Sequence, residues 1–413
     1  MFTLFFIIII YISIVNSYIK LPLKSTIPDL KNLSPNDFYK TYFSNEIYST
    51  LNIGTPSKKI DFQIMLNIYP ISLISQEFKE SSSSFYTKDK DYSIFYNTGF
   101  RMGIRANDKF QFNDIYLDEF NFLYSNDSNS NKGILGLNYI DKTNKDYDKG
   151  LIYQLKQRNK IDSYYFYIEY KNDKEENLIL GNLTHEINSK YKKNNFIELS
   201  KLGTSNYYEL NFDSLFYGKE FITNLQSVIF SYEENFIKGT LKLQNVLLEN
   251  FFETYIKENK CFSVEFGKEM ISYYCNKDVQ IEKMKNIKLF HREVNFTFEL
   301  NYKDLFKKVN GKYYFLMYFQ KHIPFSFQLG KPFLKKYLLV FNQDKRTIGF
   351  YKIIPSNNSF IVWILIIICF IIILLLGSYI LIYRPGKFRK KRINEIEDDY
   401  EYNVQNYKNL AIN

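Results

Sequence analysis

The chain has 413 residues, of which 46% are hydrophobic and 24% are charged. This composition excludes a disordered chain and a small disulfide scaffold. The three histidines and three cysteines are too few and too scattered for a zinc cluster, so we expect no metal. The formal net charge of +10 is spread along the chain, and apart from one short basic run near its end there is no basic stripe with interleaved aromatics, so we do not expect nucleic acid as a partner. No phosphate-cradling glycine loop is present, so no cofactor is expected.

The N-terminus begins with an apolar run, Leu4–Val15, which is followed by Asn16 and Ser17. The run is too short to cross a bilayer, and small or β-branched residues stand where a signal peptidase cleaves. We therefore predict a signal peptide over residues 1–17. A permanent anchor is the alternative.

A second apolar segment, residues 360–383, contains no charged residue. A helix of this length extends about 36 Å, which is enough to cross the hydrocarbon core of a membrane. Six basic residues follow at once: Arg384, Lys387, Arg389, Lys390, Lys391 and Arg392. Such clusters remain on the cytosolic side, so the sequence predicts one transmembrane helix and a cytosolic tail over 384–413. The expected location is a membrane of the secretory pathway, either the plasma membrane or an endosomal or lysosomal membrane, with the N-terminal region lumenal or extracellular.

Because this topology places the N-terminal region outside the cytosol, its sequons are candidate glycosylation sites and its cysteines are candidates for a disulfide. Asn126, Asn182 and Asn295 begin Asn-x-Ser/Thr sequons and are candidate glycosylation sites. Cys261 and Cys275 are the cysteines outside the predicted span, and in an oxidising compartment we expect them to form a disulfide. Two free thiols are the alternative.

Short strand patterns dominate the region between the two apolar segments. Ile47-Tyr-Ser-Thr-Leu-Asn-Ile and Tyr164-Tyr-Phe-Tyr-Ile-Glu-Tyr are rich in β-branched and aromatic residues, and glycine, proline and asparagine interrupt such runs. Helical patterns are few and short. The sequence predicts a mainly β fold, with two lobes.

Six short motifs, each containing glycine, proline or asparagine, follow one another along the chain. Their order resembles that of the corresponding motifs in the pepsin-like aspartic proteases. They are Tyr48-Ser-Thr-Leu-Asn-Ile-Gly-Thr-Pro, Phe95-Tyr-Asn-Thr-Gly, Lys132-Gly-Ile-Leu-Gly-Leu, Leu178-Ile-Leu-Gly-Asn, Tyr208-Glu-Leu-Asn-Phe-Asp-Ser-Leu and Leu329-Gly-Lys-Pro-Phe-Leu.

The resemblance covers residues 42–352 and implies a bilobed β fold with a cleft between its lobes. The N-lobe would take about 42–200 and the C-lobe about 201–352, after a short N-terminal segment, 18–41. Tyr96 would be the tyrosine of the flap hairpin over the cleft. The start of the N-terminal segment resembles a pepsin-type propeptide, but we interpret it as an edge strand that pairs with the sheet.

The same resemblance implies one catalytic aspartate from an Asp-Thr/Ser-Gly turn in each lobe, the two carboxyl groups sharing a proton. In the first lobe a gapless alignment from Gly54-Thr-Pro places Met65 at the aspartate, and a two-residue insertion would place Asn67 there instead. Asp61 is the nearest acid and is expected to face away from the cleft. In the second lobe the preceding apolar residues place Ser231 at the aspartate, whereas a shifted register would bring in Glu233.

Three hypotheses follow from this pattern. The first is a membrane-anchored homologue without peptidase activity, which binds an extended polypeptide in its cleft or acts in surface interaction. The second is an active aspartic-type endopeptidase with unconventional catalytic residues. The third is a structural surface glycoprotein in which bulky Met65, Leu66 and Tyr232 fill the floor of the cleft.

Overall fold

The computed structural model describes most of the region between the two ends of the chain. The described residues are 17–28, 30, 32–68, 71–75, 78–87, 92–96, 99–125, 132–138, 150–171, 175–200, 208–267, 269–321, 327–352 and 358–383, with the single positions 396, 400, 401 and 404. Except for residue 17, the predicted signal peptide lies outside them, as does almost all of the predicted cytosolic tail.

Strands dominate the described residues, which confirms the prediction of a mainly β fold. The strands of the first half of the chain are β1 Ile19–Ser25, β2 Ile47–Ile53, β3 Lys58–Met65, β4 Ser72–Ile74, β5 Tyr86–Thr87, β6 Tyr92–Tyr96, β7 Gly99–Phe112, β8 Ile115–Ser125, β9 Lys132–Gly136, β10 Tyr165–Tyr170, β11 Glu176–Leu180 and β12 Phe196–Ser200.

The second half of the chain continues the same pattern. Its strands are β13 Glu209–Tyr217, β14 Glu220–Phe230, β15 Ile237–Gly239, β16 Cys261–Phe266, β17 Met270–Asn276, β18 Ile287–His291, β19 Phe296–Leu300, β20 Phe306–Val309, β21 Lys312–Phe315, β22 Met317–Gln320, β23 Gln328–Leu329, β24 Leu339–Asn342 and β25 Thr347–Tyr351.

The helices are short, apart from the last. They are α1 Pro35–Phe43, α2 Phe78–Ser81, α3 Leu151–Gln157, α4 Thr184–Ile187, α5 Leu241–Leu247, α6 Glu253–Lys257, α7 Tyr302–Leu305, α8 Lys331–Lys336 and α9 Asn358–Tyr383; a π-helical turn, Leu248–Phe252, joins α5 to α6, and 3₁₀ turns lie at Lys193–Asn195 and Ile281–Lys283.

The strands form two large sheets. The first has the order β12-β25-β24-β10-β11-β1-β2-β3-β9-β4-β8-β7-β5, with β6 on β7. The second has the order β19-β18-β13-β14-β23-β15-β22-β17-β21-β20, with β16 on β17. The first sheet therefore takes in strands from both ends of the folded region, since β1 and the late strands β24 and β25 all join it.

The local sequence explains why these segments are strands. Burial alternates residue by residue along β2, from buried Ile47 through half-buried Tyr48 to buried Ile53. This alternation is what a strand with one face on the core produces. The central strand β11 is buried at every position, which fits its place between β10 and β1.

The contacts divide the chain into two compact units, residues 1–352 and 353–413. The second unit contains α9, whose side chains are described from 366 to 379 and are almost all exposed. Within the portions of the chain that the structure describes, none of the helices combines the length and hydropathy needed to cross a bilayer. The membrane span remains a prediction.

Candidate functional site

Two turns, one from each sheet, occupy equivalent places in the strand pairing. At the end of β3, Met65 pairs with Gly136 of the parallel strand β9. At the end of β14, Phe230 pairs with Leu329 of the parallel strand β23, so the next residue, Ser231, comes level with another glycine. By this register Met65 is the counterpart of Ser231, and each begins a turn. Leu66 and Asn67 then correspond to Tyr232 and Glu233.

The two turns hold each other through a reciprocal pair of hydrogen bonds. The backbone N–H of Leu66 donates to Oε1 of Glu233 at 2.7 Å. In the opposite direction, Nδ2 of Asn67 donates to the backbone oxygen of Phe230 at 3.3 Å. Glu233 thus binds the backbone of the first turn, and Asn67 binds the backbone just before the second turn. We call this arrangement the Asn67–Glu233 clasp.

The Glu233 carboxyl group is half-buried and accepts hydrogen bonds from within the structure. The Ser231 hydroxyl donates to its second oxygen, Oε2, at 2.5 Å. Burial raises the pKa of Glu233, while the hydrogen bonds from Ser231 and from the backbone of Leu66 and Asn67 act in the opposite direction. Both oxygens therefore accept hydrogen bonds inside the structure, as a carboxyl group with a structural role does.

Glu234 lies next in the chain and is the other acid on this turn. Burial raises its pKa from the usual 4.5 to about 7, the nearby Glu233 adds to the rise, and Lys238 opposes it. Its Oε2 atom is buried without a hydrogen-bond partner among the described residues. Its backbone oxygen accepts from the N–H of Lys331 at 2.8 Å. A side chain at Gly330 would collide with that same oxygen, so the close approach requires glycine there.

The first turn brings no carboxyl group to meet Glu233. Met65, Leu66 and Asn67 carry none. Asp61, the nearest acid in the sequence, is exposed on β3 and accepts from the Thr50 hydroxyl at 2.7 Å.

Bulky side chains fill the space beneath both turns. Leu66 and Tyr232 are at most 1% exposed and belong to the main hydrophobic core. The partly buried Met65 packs against a small cluster that contains Ile68 and Leu123. The middle residue of each turn is therefore part of the hydrophobic core.

The N-terminal segment is built into the fold close to the second turn. Its strand β1 pairs with the sheet, as the sequence predicts, but it lies between β11 and β2, so the prediction of an edge strand is wrong. Helix α1 follows, capped by the Ser34 hydroxyl, which accepts from the N–H of Asp37. The side chain of Asn235, four residues after Ser231, donates to the backbone oxygen of Tyr42 at 2.8 Å. The end of α1 is thereby bound to the loop that carries the second turn.

The buried face of α1 is aromatic. Phe38 and Tyr39 are fully buried, and Phe38 stacks on Tyr314 with 3.8 Å between the ring centroids. Tyr39 donates its hydroxyl hydrogen to the backbone oxygen of Tyr273. The helix was not predicted, since only a strand was expected in this segment, although Ser34 before Pro35 is a recognisable start signal.

The remaining predicted site residues have mixed outcomes. Cys261 and Cys275 form the expected disulfide, with an S–S distance of 2.01 Å, across directly paired positions of β16 and β17. In the flap region, Tyr96 ends β6 and pairs with Gly99 of β7, so the hairpin is present, but residues 97–98 and the Tyr96 side chain lie outside the described part.

Of the three sequons, one begins outside the described residues and two can be placed. Asn126 lies outside them. Asn182 is only 2% exposed, whereas Asn295 is exposed on the turn between β18 and β19. Glycosylation at each of them remains a prediction.

Sequence reasoning missed a buried ion pair close to the second turn. Nζ of Lys331, on α8, lies 3.1 Å from the carboxylate of Glu176 on β11, and the two side chains are only 6% and 9% exposed. An isolated glutamate in a strand pattern and an isolated lysine in a helix pattern do not indicate that the two side chains form an ion pair. Among the described residues, no group of three or more His, Cys, Asp or Glu side chains could hold a metal ion.

Comparison with known protein families assigns the chain to one of them. The family model described as eukaryotic aspartyl protease matches residues 48–353, the region that holds both turns and most strands of both sheets. No curated protein matches the chain. The matched region covers well over half of the sequence, and the chain belongs to the eukaryotic aspartyl protease family.

Proposed function

We propose that this chain is a catalytically inactive member of the aspartyl protease family that acts by binding polypeptide. The observation that carries the proposal is the Asn67–Glu233 clasp. The two turns meet, but through one amide and one carboxyl group, both committed to hydrogen bonds with the opposite turn or with Ser231.

The chemistry of peptide hydrolysis by this family depends on two carboxyl groups that share a proton. One withdraws a proton from water while the other donates to the scissile carbonyl. The register makes Met65 the counterpart of Ser231 and favours the gapless alignment over Asn67. A thioether and a hydroxyl at these places cannot replace the two acids near neutral pH.

A binding role is compatible with the strands near the flap. Strand β6 pairs with β7 along one edge, and no strand on its other edge is found among the described residues. An extended peptide could add there as a further strand, with backbone hydrogen bonds giving affinity. We place the binding domain on a membrane of the secretory pathway because of the apolar segment 360–383 and the basic residues that follow it.

One observation favours the competing proposal of an active peptidase. Glu233 and Glu234 are both shielded from solvent on a single turn, and Glu233 contributes to the raised pKa of Glu234. Two coupled carboxyl groups are what the aspartic-type mechanism uses. In this second proposal they would replace the usual pair, with both acids from one lobe.

Two measurements on the full-length chain in neutral detergent test the proposal. A library of extended peptides should bind saturably, and the same peptides should stay intact at about pH 4. Cleavage that co-purifies with the chain and is blocked by a statyl peptide inhibitor would establish the active peptidase instead. Absence of any saturable binding would favour the structural surface glycoprotein.

A further inference from the structure

Three polar side chains lie close together beside the second turn. They are Glu234 of the turn itself, Lys238 of β15 and Tyr318 of β22. In the parallel pairing of β15 with β22, Lys238 stands directly opposite Tyr318, so their side chains lie on the same face of the sheet. Glu234 acts electrostatically on both of them, so its carboxyl group lies near both. We call these three residues the polar trio.

The polar trio is buried but lacks hydrogen-bond partners. Lys238 and Tyr318 are only 8% and 4% exposed. Within the described part of the chain, neither the Lys238 ammonium group nor the Tyr318 hydroxyl forms a hydrogen bond or an ion pair, and Oε2 of Glu234 is enclosed without a partner. Burying a polar group without a partner costs free energy, most of all for an ammonium group. Such groups therefore point to a ligand that supplies the missing hydrogen bonds.

Aromatic packing holds the Tyr318 side chain in position. The centre of its ring lies 5.5 Å from that of Phe43, 6.3 Å from that of Phe236 and 6.2 Å from that of Phe266. Phe43 belongs to α1 and Phe266 to β16, so separate segments restrict the ring. The Tyr318 hydroxyl is thus oriented before any ligand binds.

The net charge of the polar trio depends on pH. Burial raises the pKa of Glu234 to about 7, Glu233 adds to the rise, and Lys238 opposes it. Burial lowers the pKa of Lys238 and Glu234 raises it, whereas burial raises the pKa of the Tyr318 hydroxyl, which stays protonated. The trio is therefore nearly neutral above about pH 7, where Glu234 is ionised, and positive below it.

The other elements packed at this place bring groups that are already engaged. From α8, the backbone N–H of Lys331 donates to the backbone oxygen of Glu234, and the Lys331 ammonium group pairs with Glu176. From α1, the backbone oxygen of Tyr42 accepts from the Asn235 side chain. The change in charge near pH 7 is thus that of Glu234.

We propose that the polar trio binds a carboxylate group of the polypeptide ligand, an inference that rests on the function proposed above. The Lys238 ammonium group and the Tyr318 hydroxyl donate to the carboxylate, as charge-assisted donors to an anion do. A protonated Glu234 donates a third hydrogen bond, whereas an ionised Glu234 repels the ligand. A cationic group fits less well because Lys238 repels it. The carboxylate comes from an aspartate or glutamate side chain or from the C-terminus of the polypeptide.

Fluorescence anisotropy on the full-length chain in neutral detergent tests the site with three pools of labelled extended peptides. The first pool has glutamate at several positions and an amidated C-terminus, the second has glutamine at those positions and the same amide, and the third has glutamine and a free C-terminus. At about pH 5.5 we expect the first or the third pool to bind about tenfold more tightly than the second. A preference for the first pool identifies an acidic side chain, and a preference for the third identifies the C-terminal carboxylate. At about pH 8 the preference should fall below about threefold.

Single variants assign this preference to the polar trio. Lys238→Met removes the ammonium group and should reduce the preference to within about twofold. Glu234→Gln keeps a donor that does not titrate, so the preference at about pH 8 should equal that at about pH 5.5. Lys242→Gln removes the same charge from an exposed position and is the matched control, which should change the preference less than about twofold. Thermal unfolding shows whether each variant is folded, and Glu234→Gln decides alone if Lys238→Met is not.

The carboxylate site and the polypeptide-binding function fail in different ways. Saturable binding with no preference among the pools, or with a larger preference at about pH 8, would overturn the carboxylate site and leave polypeptide binding in place. The same holds if folded Lys238→Met keeps the preference or if Lys242→Gln loses it equally. Absence of saturable binding by every pool would overturn both.

Discussion

The turn after β3 and the turn after β14 share a register and differ in chemistry. Each follows a strand that pairs in parallel with a short strand: Met65 pairs with Gly136 of β9, and Ser231 follows the residue that pairs with Leu329, which precedes Gly330. Yet the first turn presents Asn67 where the second presents Glu233, and Met65 where the second presents Ser231. The backbone framework is therefore duplicated, while the polar side chains are not.

The difference shows what the side chains at the meeting point do. Asn67 donates from its amide, and Glu233 accepts with its carboxyl group, so the two are complementary in hydrogen bonding and each binds the opposite backbone. Two aspartates in these turns would instead repel unless they shared a proton. The unlike pair holds the sheets together without that requirement.

The largest expected effect comes from removing the accepting half of the clasp. Glu233→Ala leaves the Leu66 N–H and the Ser231 hydroxyl without their partner in a buried place, and we expect a loss of about 3 kcal/mol in the free energy of unfolding. Denaturant unfolding of the two proteins measures it. Glu233→Gln keeps an acceptor oxygen and should lose about 1 kcal/mol. Equal stability of Glu233→Ala and the native chain would contradict the clasp.

The neighbouring acid, Glu234, should make the free energy of unfolding depend on pH. The pKa of Glu234 is about 7 in the folded chain and 4.5 is its usual value, so the folded chain holds a proton that the unfolded chain releases between these values. Its contribution to stability is thus present below about pH 4.5 and is lost as the pH rises to about 7. The charged groups that face it are Glu233 and Lys238, with the Tyr318 hydroxyl nearby.

Glu234→Gln should therefore stabilise the chain by about 2 kcal/mol at pH 8 and have little effect at pH 4. Thermal unfolding across this pH range is the measurement. Glu220→Gln, at an exposed position of β14, is the matched control and should leave the pH profile unchanged. The same gain at both pH values would show that ionisation of Glu234 is not the cause.

A smaller loss is expected from the donating half of the clasp. Asn67→Ala removes one 3.3 Å hydrogen bond between neutral groups and should destabilise the chain by about 1 kcal/mol. A double-mutant cycle with Glu233→Gln should give a coupling above about 0.5 kcal/mol, because both residues join the same two turns. Strict additivity would mean that the two contacts act independently.

The smallest effect on stability is expected at the sequons. The quantity measured there is the fraction of each asparagine that carries a glycan. Asn295 is exposed on a turn, whereas Asn182 is 2% exposed and donates no described hydrogen bond from its buried Nδ2 atom. We expect a glycan on Asn295 and none on Asn182 when the chain is expressed in a glycosylating host. Mass spectrometry of peptides before and after glycosidase treatment decides this. A glycan found only on Asn182 would contradict the burial.

Much of the fold could be predicted because it depends on local pattern. The β-branched and aromatic run Ile47–Ile53 predicted β2, and the Cys261–Cys275 disulfide was expected because these are the cysteines outside the second apolar segment. The order of the punctuated motifs led to the family, which the matched region confirms.

The site was less predictable because it depends on contacts between distant segments. The equivalence of Met65 and Ser231 becomes visible only through β9 and β23, which lie far from each turn in the chain. Sequence reasoning gave Glu233 only a minor alternative role, because nothing local shows that its carboxyl group reaches the Leu66 N–H. Tertiary hydrogen bonds of this kind have no periodic signature.

The role of Glu233 is the central claim, and one comparison tests it directly. The native full-length chain and its Glu233→Gln variant are incubated with a peptide library at about pH 4, with and without a statyl inhibitor. Our account predicts the same absence of inhibitor-sensitive cleavage in both proteins, together with the modest loss of stability in the variant. Cleavage by the native chain that the inhibitor blocks and that a folded Glu233→Gln variant lacks would contradict it and make Glu233 a catalytic acid.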